Sequence, residues 1–438
     1  MNGRQAPPRP KLVILGLDGV SRTLLDRLSD DGATPHLARL LNSSRSGAMN
    51  SALPEISPTA WTTFFTARSP GEHGIYGFSE FRRPGYEVFF NSSAEVKSPC
   101  LWDWLGLAGR RSVVLNVPLT YPARPLVGTM ISGFVALDYN RACYPVREAE
   151  FLRRSGYRLE ADFDRVHQDR DGFLLDLDQA LAGRELLLDR FWNDDWDLFV
   201  LIVTDTDRLL HFFYREYLEN GPISGYFLDF FSRVDRLAGR VIDLAEKLAE
   251  ESEAGVFLAM LSDHGFAPVV EEFHLNRWLA ERGFFTGVGP NGRAFALDPT
   301  RIYFNHRRKF QAGKLTEGER RGLAREITAG LLAEPAVGGV DPGTELYSGR
   351  QAGLAPDLVV RPRPGYEFKA KFNSGPIYSP SLLKGTHTYE DAFYLVREFG
   401  AGLGEGPVEV NEILDFGRLV FHLAGVGERA GSGRSIIM

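Results

Sequence analysis

The chain has 438 residues, 44% hydrophobic and 24% charged. These are the proportions of a folded protein with a sizeable core, and they exclude a disordered or fibrous chain. Fifty Lys and Arg against 57 Asp and Glu give a formal charge of -7, which offers no electrostatic case for a nucleic-acid-binding surface. No apolar run approaches the ~18–20 residues that span a bilayer, and the opening MNGRQAPPRPK lacks the apolar core of a secretory signal. Cys100 and Cys143 fall in no CxxC pair, so the expectation is a cytoplasmic protein with two buried free thiols.

The first predicted element is the continuous apolar run LVILGL (12–17), a strand that ends at Asp18. Ser57 then precedes Pro58 and a helix-like run, an ordinary helix start with Ser at the N-cap and Pro at N1. The same helix start presents backbone N–H groups and a positive dipole end to an anion, with Ser57 placed to attack it. An aliphatic hydroxyl needs a base or a metal to become a nucleophile. SVVLNVP (112–118) reads as a second strand, followed by the extended LTYPARP, where prolines oppose helix. LFVLIV (198–203) runs into Asp205 and Asp207, and VFLAML (256–261) runs into Asp263. Between them, SRVDRLAGRVIDLAEKLAEE (232–251) repeats its apolar residues at helical intervals.

Continuous rather than alternating apolar strands are covered on both faces, as in a parallel sheet flanked by helices. The expected fold is therefore α/β, built from βαβ units, and its ligands bind beyond the carboxyl ends of the strands. Residues 285–375, with RIYFNH, the helix-like LTEGERRGLAREITAGLLAE and APDLVVRP, read as a cap-like insertion. That leaves 10–284 and 376–425 as the core and the Gly/Ser-rich 426–438 as a flexible tail.

The chemistry-bearing residues lie at these strand ends. Asp207 and His211 are four apart, on one face of a helical turn, which suits two ligands of one metal. The adjacent pair Asp263 and His264 can converge on one ion, and Asp18 and His387, in KGTHTYED, complete the set. Carboxylate and imidazole without thiolate favour Zn²⁺ or Mn²⁺.

In chain order, GLDG, S-P-T-A-W-T-T-F followed by T-x-x-x-P-x-x-H-G-I, TDTDRLLH, LSDHG and GTH span roughly residues 10–390. This series resembles the type I phosphodiesterase/nucleotide pyrophosphatase branch of the alkaline phosphatase superfamily. The resemblance implies an alkaline-phosphatase-like three-layer fold and a two-metal phosphotransfer site acting on a small-molecule phosphoryl substrate. One ion would be held by Asp207, His211 and His387, and the other by Asp18, Asp263, His264 and the nucleophile Ser57. Thr59 is the fallback nucleophile, and His73 is structural. Three carboxylates and an alkoxide balance two divalent cations, so a phosphodiester enters without large repulsion and reacts through a covalent phosphoseryl intermediate.

The sequence departs from the family pattern at two positions: Pro58 stands where an aromatic follows the nucleophile, and Phe78 stands where an Asn donates to phosphate. Asn116 is either a replacement donor or a turn residue, and Lys384 either contacts a non-bridging oxygen or is a surface lysine. Trp61, Phe212, Phe213 and Tyr214 either line a pocket or pack in the core. A monoesterase, a phosphonate hydrolase and a phosphoglycerate-mutase-like enzyme share the same metal site. The motifs show no arginine to balance a dianionic monoester. The mutase reading lacks an inserted domain, and sulfatase chemistry lacks its C/S-x-P-x-R. A non-enzymatic phospho-ligand-binding protein would have lost a nucleophile or ligand, and none of these positions is lost. Oligomeric state has no sequence signature here.

Overall fold

The protein is described as a computed structural model over residues 9–252, 254–372, 374–400 and 409–427. Of the predicted tail, 428–438 lie outside the described residues.

Each apolar run forms the strand its composition predicts. Lys11–Leu17, Leu198–Val203 and Val256–Leu261 lie side by side in parallel. Ser112–Val117 and Gly128–Ser132 extend the sheet, also in parallel, from Leu198–Val203. Cys143–Tyr144 closes one edge, while Ala392–Phe399 and then Arg45–Met49 form the other, making eight strands in all.

Alternate residues along these strands face opposite ways, as the period of two requires. Val13, Leu15 and Leu17 join one apolar cluster with the helices Arg170–Phe191, Asp205–Leu218 and Ser224–Glu250. Leu12 and Ile14 join a second cluster with Ser57–Thr66 and Ile413–Leu423. The fold is thus α/β, with a mostly parallel sheet covered on both faces. The predicted helix at 232–251 starts earlier, because Tyr226 to Phe231 continue the apolar stripe onto the same core. None of the described helices is long and apolar enough to cross a membrane.

Several strands, Gly265–His274 among them, are not visible in the sequence. Gly265–His274 leaves the sheet directly after His264 and pairs with Gly385–Thr388 antiparallel, setting Phe266 opposite His387. Its charged residues and Pro268 break the apolar continuity by which the other strands are recognised. Further along, Ala294–Ala296, Arg301–Phe304, Leu358–Pro362 and Val337–Pro342 form a separate antiparallel sheet beside the helix Glu317–Leu332. Their core includes Phe273, Trp278 and Leu279, upstream of that sheet.

Candidate active site

Three parallel strands end at one place, and the side chains that follow them meet there. Asp18 follows the first strand, and Asp263 and His264 follow Val256–Leu261. Asp207 and His211 lie on the first turns of the Asp205–Leu218 helix. His387 arrives from the strand Gly385–Thr388, which pairs antiparallel with Gly265–His274. Asp207 Oδ1 is 3.4 Å from His211 Nε2 and 3.1 Å from His387 Nε2, and the two imidazole nitrogens are 3.0 Å apart. His264 Nε2 is 3.6 Å from Asp18 Oδ1 and 3.3 Å from Asp263 Oδ2. The rings of His264 and His387 stack at 3.7 Å, so the two groups adjoin.

The backbone fixes which nitrogen of each ring faces the carboxylates. Nδ1 of His211, His264 and His387 lies 3.0, 3.1 and 2.9 Å from the carbonyls of Gly385, Gly265 and Glu55. A carbonyl only accepts, so each Nδ1 carries the hydrogen, and each ring when neutral keeps its Nε2 lone pair pointed inward. Metal-ligating histidines are held in this way. The carboxylates are anchored as well: Trp61 Nε1–H donates to Asp18 Oδ2 at 3.0 Å, and the Gly19 N–H donates to Asp263 Oδ1 at 3.1 Å.

Electrostatics show what the cluster lacks. Burial, with Asp263 and Asp207 nearby, pushes Asp18 well above the usual carboxylate range, and burial pushes Asp263 up to about 7. Burial would raise Asp207 too, but His211, His387 and Arg208 outweigh it and hold it low. Burial drives His211 down to about 4 and His264 well below its ordinary value. For His387, burial acts downward, but Asp207 overcomes it and the pKa rises. Asp263 Oδ2 has no hydrogen-bond partner although it is fully buried. Inward lone pairs of neutral imidazoles against buried carboxylates repel unless cations sit between them, so the donor set fits divalent metal.

Ser57 is the first residue of its helix, and its side chain does not cap that helix. The hydroxyl instead donates toward Asp18 Oδ1 at 3.4 Å and stands 3.3 Å from His264 Nε2. Thr59 Oγ1 is buried without a partner and touches neither cluster. Trp61 is fully buried rather than lining a pocket, and Phe212, Phe213 and Tyr214 belong to the core. His73 takes the structural role, accepting from the Ile75 N–H and meeting Thr63 Oγ1 at 3.0 Å.

Gly16 makes room for Trp61, since a Cβ there would stand 2.4 Å from Trp61 Cη2 and 2.6 Å from Ile202 Cδ1. Gly16→Ala should therefore cost about 1–3 kcal/mol of stability by denaturant melting. It should also weaken metal binding by displacing the indole that holds Asp18.

The remaining predicted residues are placed less directly. Asn116 sits at a bulge with φ of 60°, and its amide donates to the Ile202 carbonyl at 2.8 Å and to Thr204 Oγ1 at 3.2 Å. That geometry matches the turn alternative, because Asn tolerates the left-handed region. The Lys384 N–H donates to the His211 carbonyl at 2.7 Å, which sets this half-buried lysine beside His211.

Asp205, alike in sequence to Asp207, is instead bound by the fully buried Arg184 at 3.0 Å. The arginine that the motif reading missed is Arg208, within TDTDRLLH itself. It stands 3.4 Å from Asp207 Oδ2, pairs with Glu160 at 2.9 Å and lies over the rings of Phe134 and Phe163. Phe78, where the family places Asn, packs edge-on against Phe134.

No curated protein matches the chain. Phosphonoacetate hydrolase from Sinorhizobium meliloti 1021 in complex with phosphonoformate shares the fold with a TM-score of 0.64 at 16% identity, over 97% of this chain and 98% of that one. Wild type alkaline phosphatase PafA does so with a TM-score of 0.63 at 17% identity, over 96% and 97%. The sequence model of type I phosphodiesterase / nucleotide pyrophosphatase matches residues 12–390. Enzymes of the alkaline phosphatase superfamily use two divalent metals, and this chain is a metal-dependent phosphoryl hydrolase of that superfamily. With the match covering most of its length, the chain belongs to the type I phosphodiesterase / nucleotide pyrophosphatase family.

Proposed function

We propose that the protein hydrolyses phosphodiesters of small molecules with Ser57 as nucleophile. The observation that carries this reading is the Ser57 hydroxyl, set against Asp18 and His264 at the junction of the two ligand groups. Asp18, Asp263, His264 and Ser57 would hold one divalent ion, and Asp207, His211 and His387 the other. Zn²⁺ suits this donor set best and Mn²⁺ is the alternative. When bound, the ions supply the positive charge that favours a serine alkoxide and a departing oxyanion. Ser57 Oγ forms a bond to phosphorus as the ester bond to the first alcohol breaks; water then cleaves the phosphoseryl bond, and the hydroxyl regains its proton. Lys384, beside His211, is our candidate contact to a non-bridging oxygen, while Asn116 holds the strand ends together.

Diester over monoester follows from charge. Arg208 is paired with Glu160 at 2.9 Å and adds no free positive charge for a dianion. We assign 10–284 and 376–425 to the catalytic core and 285–375 to a cap. The buried, unpaired Cys100 and Cys143 support a cytoplasmic setting.

The test compares initial rates on an aryl phosphodiester, its matching monoester and phosphonoacetate, with protein stripped and reloaded with Zn²⁺ or Mn²⁺. The diester should lead by at least about tenfold, as one extra uncompensated charge in a buried site costs more than ~1.4 kcal/mol. A monoester lead would overturn the diesterase reading, and a phosphonoacetate lead would replace it with C–P bond cleavage.

A further inference from the structure

Three carboxylates and two arginines meet at the start of the helix Asp205–Leu218, and they are not shared evenly. Asp205 is taken by Arg184, both side chains being fully buried, with Arg184 Nε donating at 3.0 Å. Glu160 is taken by Arg208, whose Nη2 donates to Glu160 Oε2 at 2.9 Å. Asp207 is left with the looser contact, 3.4 Å from Arg208 Nη1 to its Oδ2, while its Oδ1 stays turned to His211 and His387. The stretch TDTDR sets two aspartates beside one arginine, and partners from elsewhere in the chain decide which aspartate is spare.

Those partners are fastened in place. The Arg208 guanidinium lies 4.5 Å from the ring centre of Phe134 and 3.9 Å from that of Phe163, contacts that favour a cation and fix where it rests. Arg184 also donates to the Tyr157 hydroxyl and to the carbonyl of Leu159, the residue before Glu160. Phe163 packs edge-on against Phe212 at 5.4 Å. The segment 157–163 is thereby strapped to the helix that carries Asp207 and His211, and it presents Glu160 to Arg208.

A guanidinium and a metal cation compete for the same carboxylate. Asp207 and Arg208 are both buried, so solvent and salt screen that competition little. Were Arg208 to pair fully with Asp207, it would tie up the anion common to His211 and His387 and set a positive charge beside the ion. A charge-assisted hydrogen bond to Glu160 offers Arg208 the better partner. Resting on the ligand assignment proposed above, we propose that Glu160 is a positioning residue that draws Arg208 off Asp207 and so keeps that carboxylate open for the ion held with His211 and His387. Glu160 touches neither histidine among the described contacts and acts through Arg208.

The test measures metal affinity by chelator competition, and ions per chain by elemental analysis, on wild type, Glu160→Gln, Arg208→Gln and the double variant, each with a thermal melt. Glu160→Gln keeps the shape of the side chain and removes its charge. It should loosen one of the two ions on the order of tenfold, the scale of losing an outer partner of a metal ligand, and leave the other unchanged. Arg208→Gln should hold both ions at least as tightly as wild type. The double variant should recover wild-type affinity, because the competing cation is gone. If Glu160 only held the segment in place, the two losses would add rather than cancel.

Unchanged affinity in Glu160→Gln would overturn the proposal, and so would a double variant as weak as Glu160→Gln. Weaker binding in Arg208→Gln would also overturn it, since Arg208 would then support Asp207 rather than compete for it; this arm holds whether or not Glu160→Gln folds. A single ion per chain in wild type would instead remove the two-ion assignment itself, and this inference with it.

Discussion

Ser57→Ala should lower turnover by at least about a thousandfold, the scale seen when a covalent nucleophile is removed, while metal content stays at two ions per chain. The Ser57 Oγ stands at the edge of a group that already contains Asp18, Asp263 and His264. Its loss therefore leaves three protein donors for that ion and removes only the attacking oxygen. Thr59 cannot replace it without a local shift, because its hydroxyl, two residues on and so on the far side of the helix, is buried with no hydrogen-bond partner. Metal analysis and single-turnover kinetics on the same preparation check both halves. Full turnover in the variant would move the attack to a water or to Thr59, whereas loss of metal would make Ser57 chiefly a ligand.

Asp207→Ala should halve the metal content and lower turnover by a comparable factor. Asp207 Oδ1 is the anion common to His211 and His387. Without it, two neutral imidazoles 3.0 Å apart face each other with no carboxylate to attract a cation. The variant also frees Arg208, whose guanidinium loses one of its two carboxylate partners. Inductively coupled plasma analysis after dialysis should give one ion per chain. Two retained ions would show that His264 bridges the groups closely enough to hold the second cation with His387 alone, a possibility that the 3.7 Å ring stacking makes concrete.

Much of this site was legible because the physics behind it is local. A buried parallel strand must be apolar along its whole length, so the aspartate that ends it stands out, and Asp18, Asp207 and Asp263 were all found this way. Spacing of four on a helix likewise brought Asp207 and His211 together. The partners that aim these groups were hidden, since a backbone carbonyl carries no sequence identity: nothing marks Gly385, Gly265 or Glu55 as the acceptor for a particular imidazole. Spacing from His211 singles out Asp207 over Asp205, but the Arg184 that binds Asp205 comes from a distant helix and left no local mark. Trp61 read equally well as core or pocket, and only its distance to Asp18 gives its indole N–H a task.

The order of strands across the sheet has a further consequence for how the chain is made. Ala392–Phe399 lies between Val256–Leu261 and Arg45–Met49, two strands synthesised well before it. Among the described strands, Arg45–Met49 therefore has no neighbour in the sheet until Ala392–Phe399 has left the ribosome, and His387 is made only shortly before that strand. Such long sequence separation slows folding. On the ligand set proposed above, metal capture would then be a late event, since a chain that stops before His387 carries Asp18, Asp207 and Asp263 without the imidazole that would complete the second group.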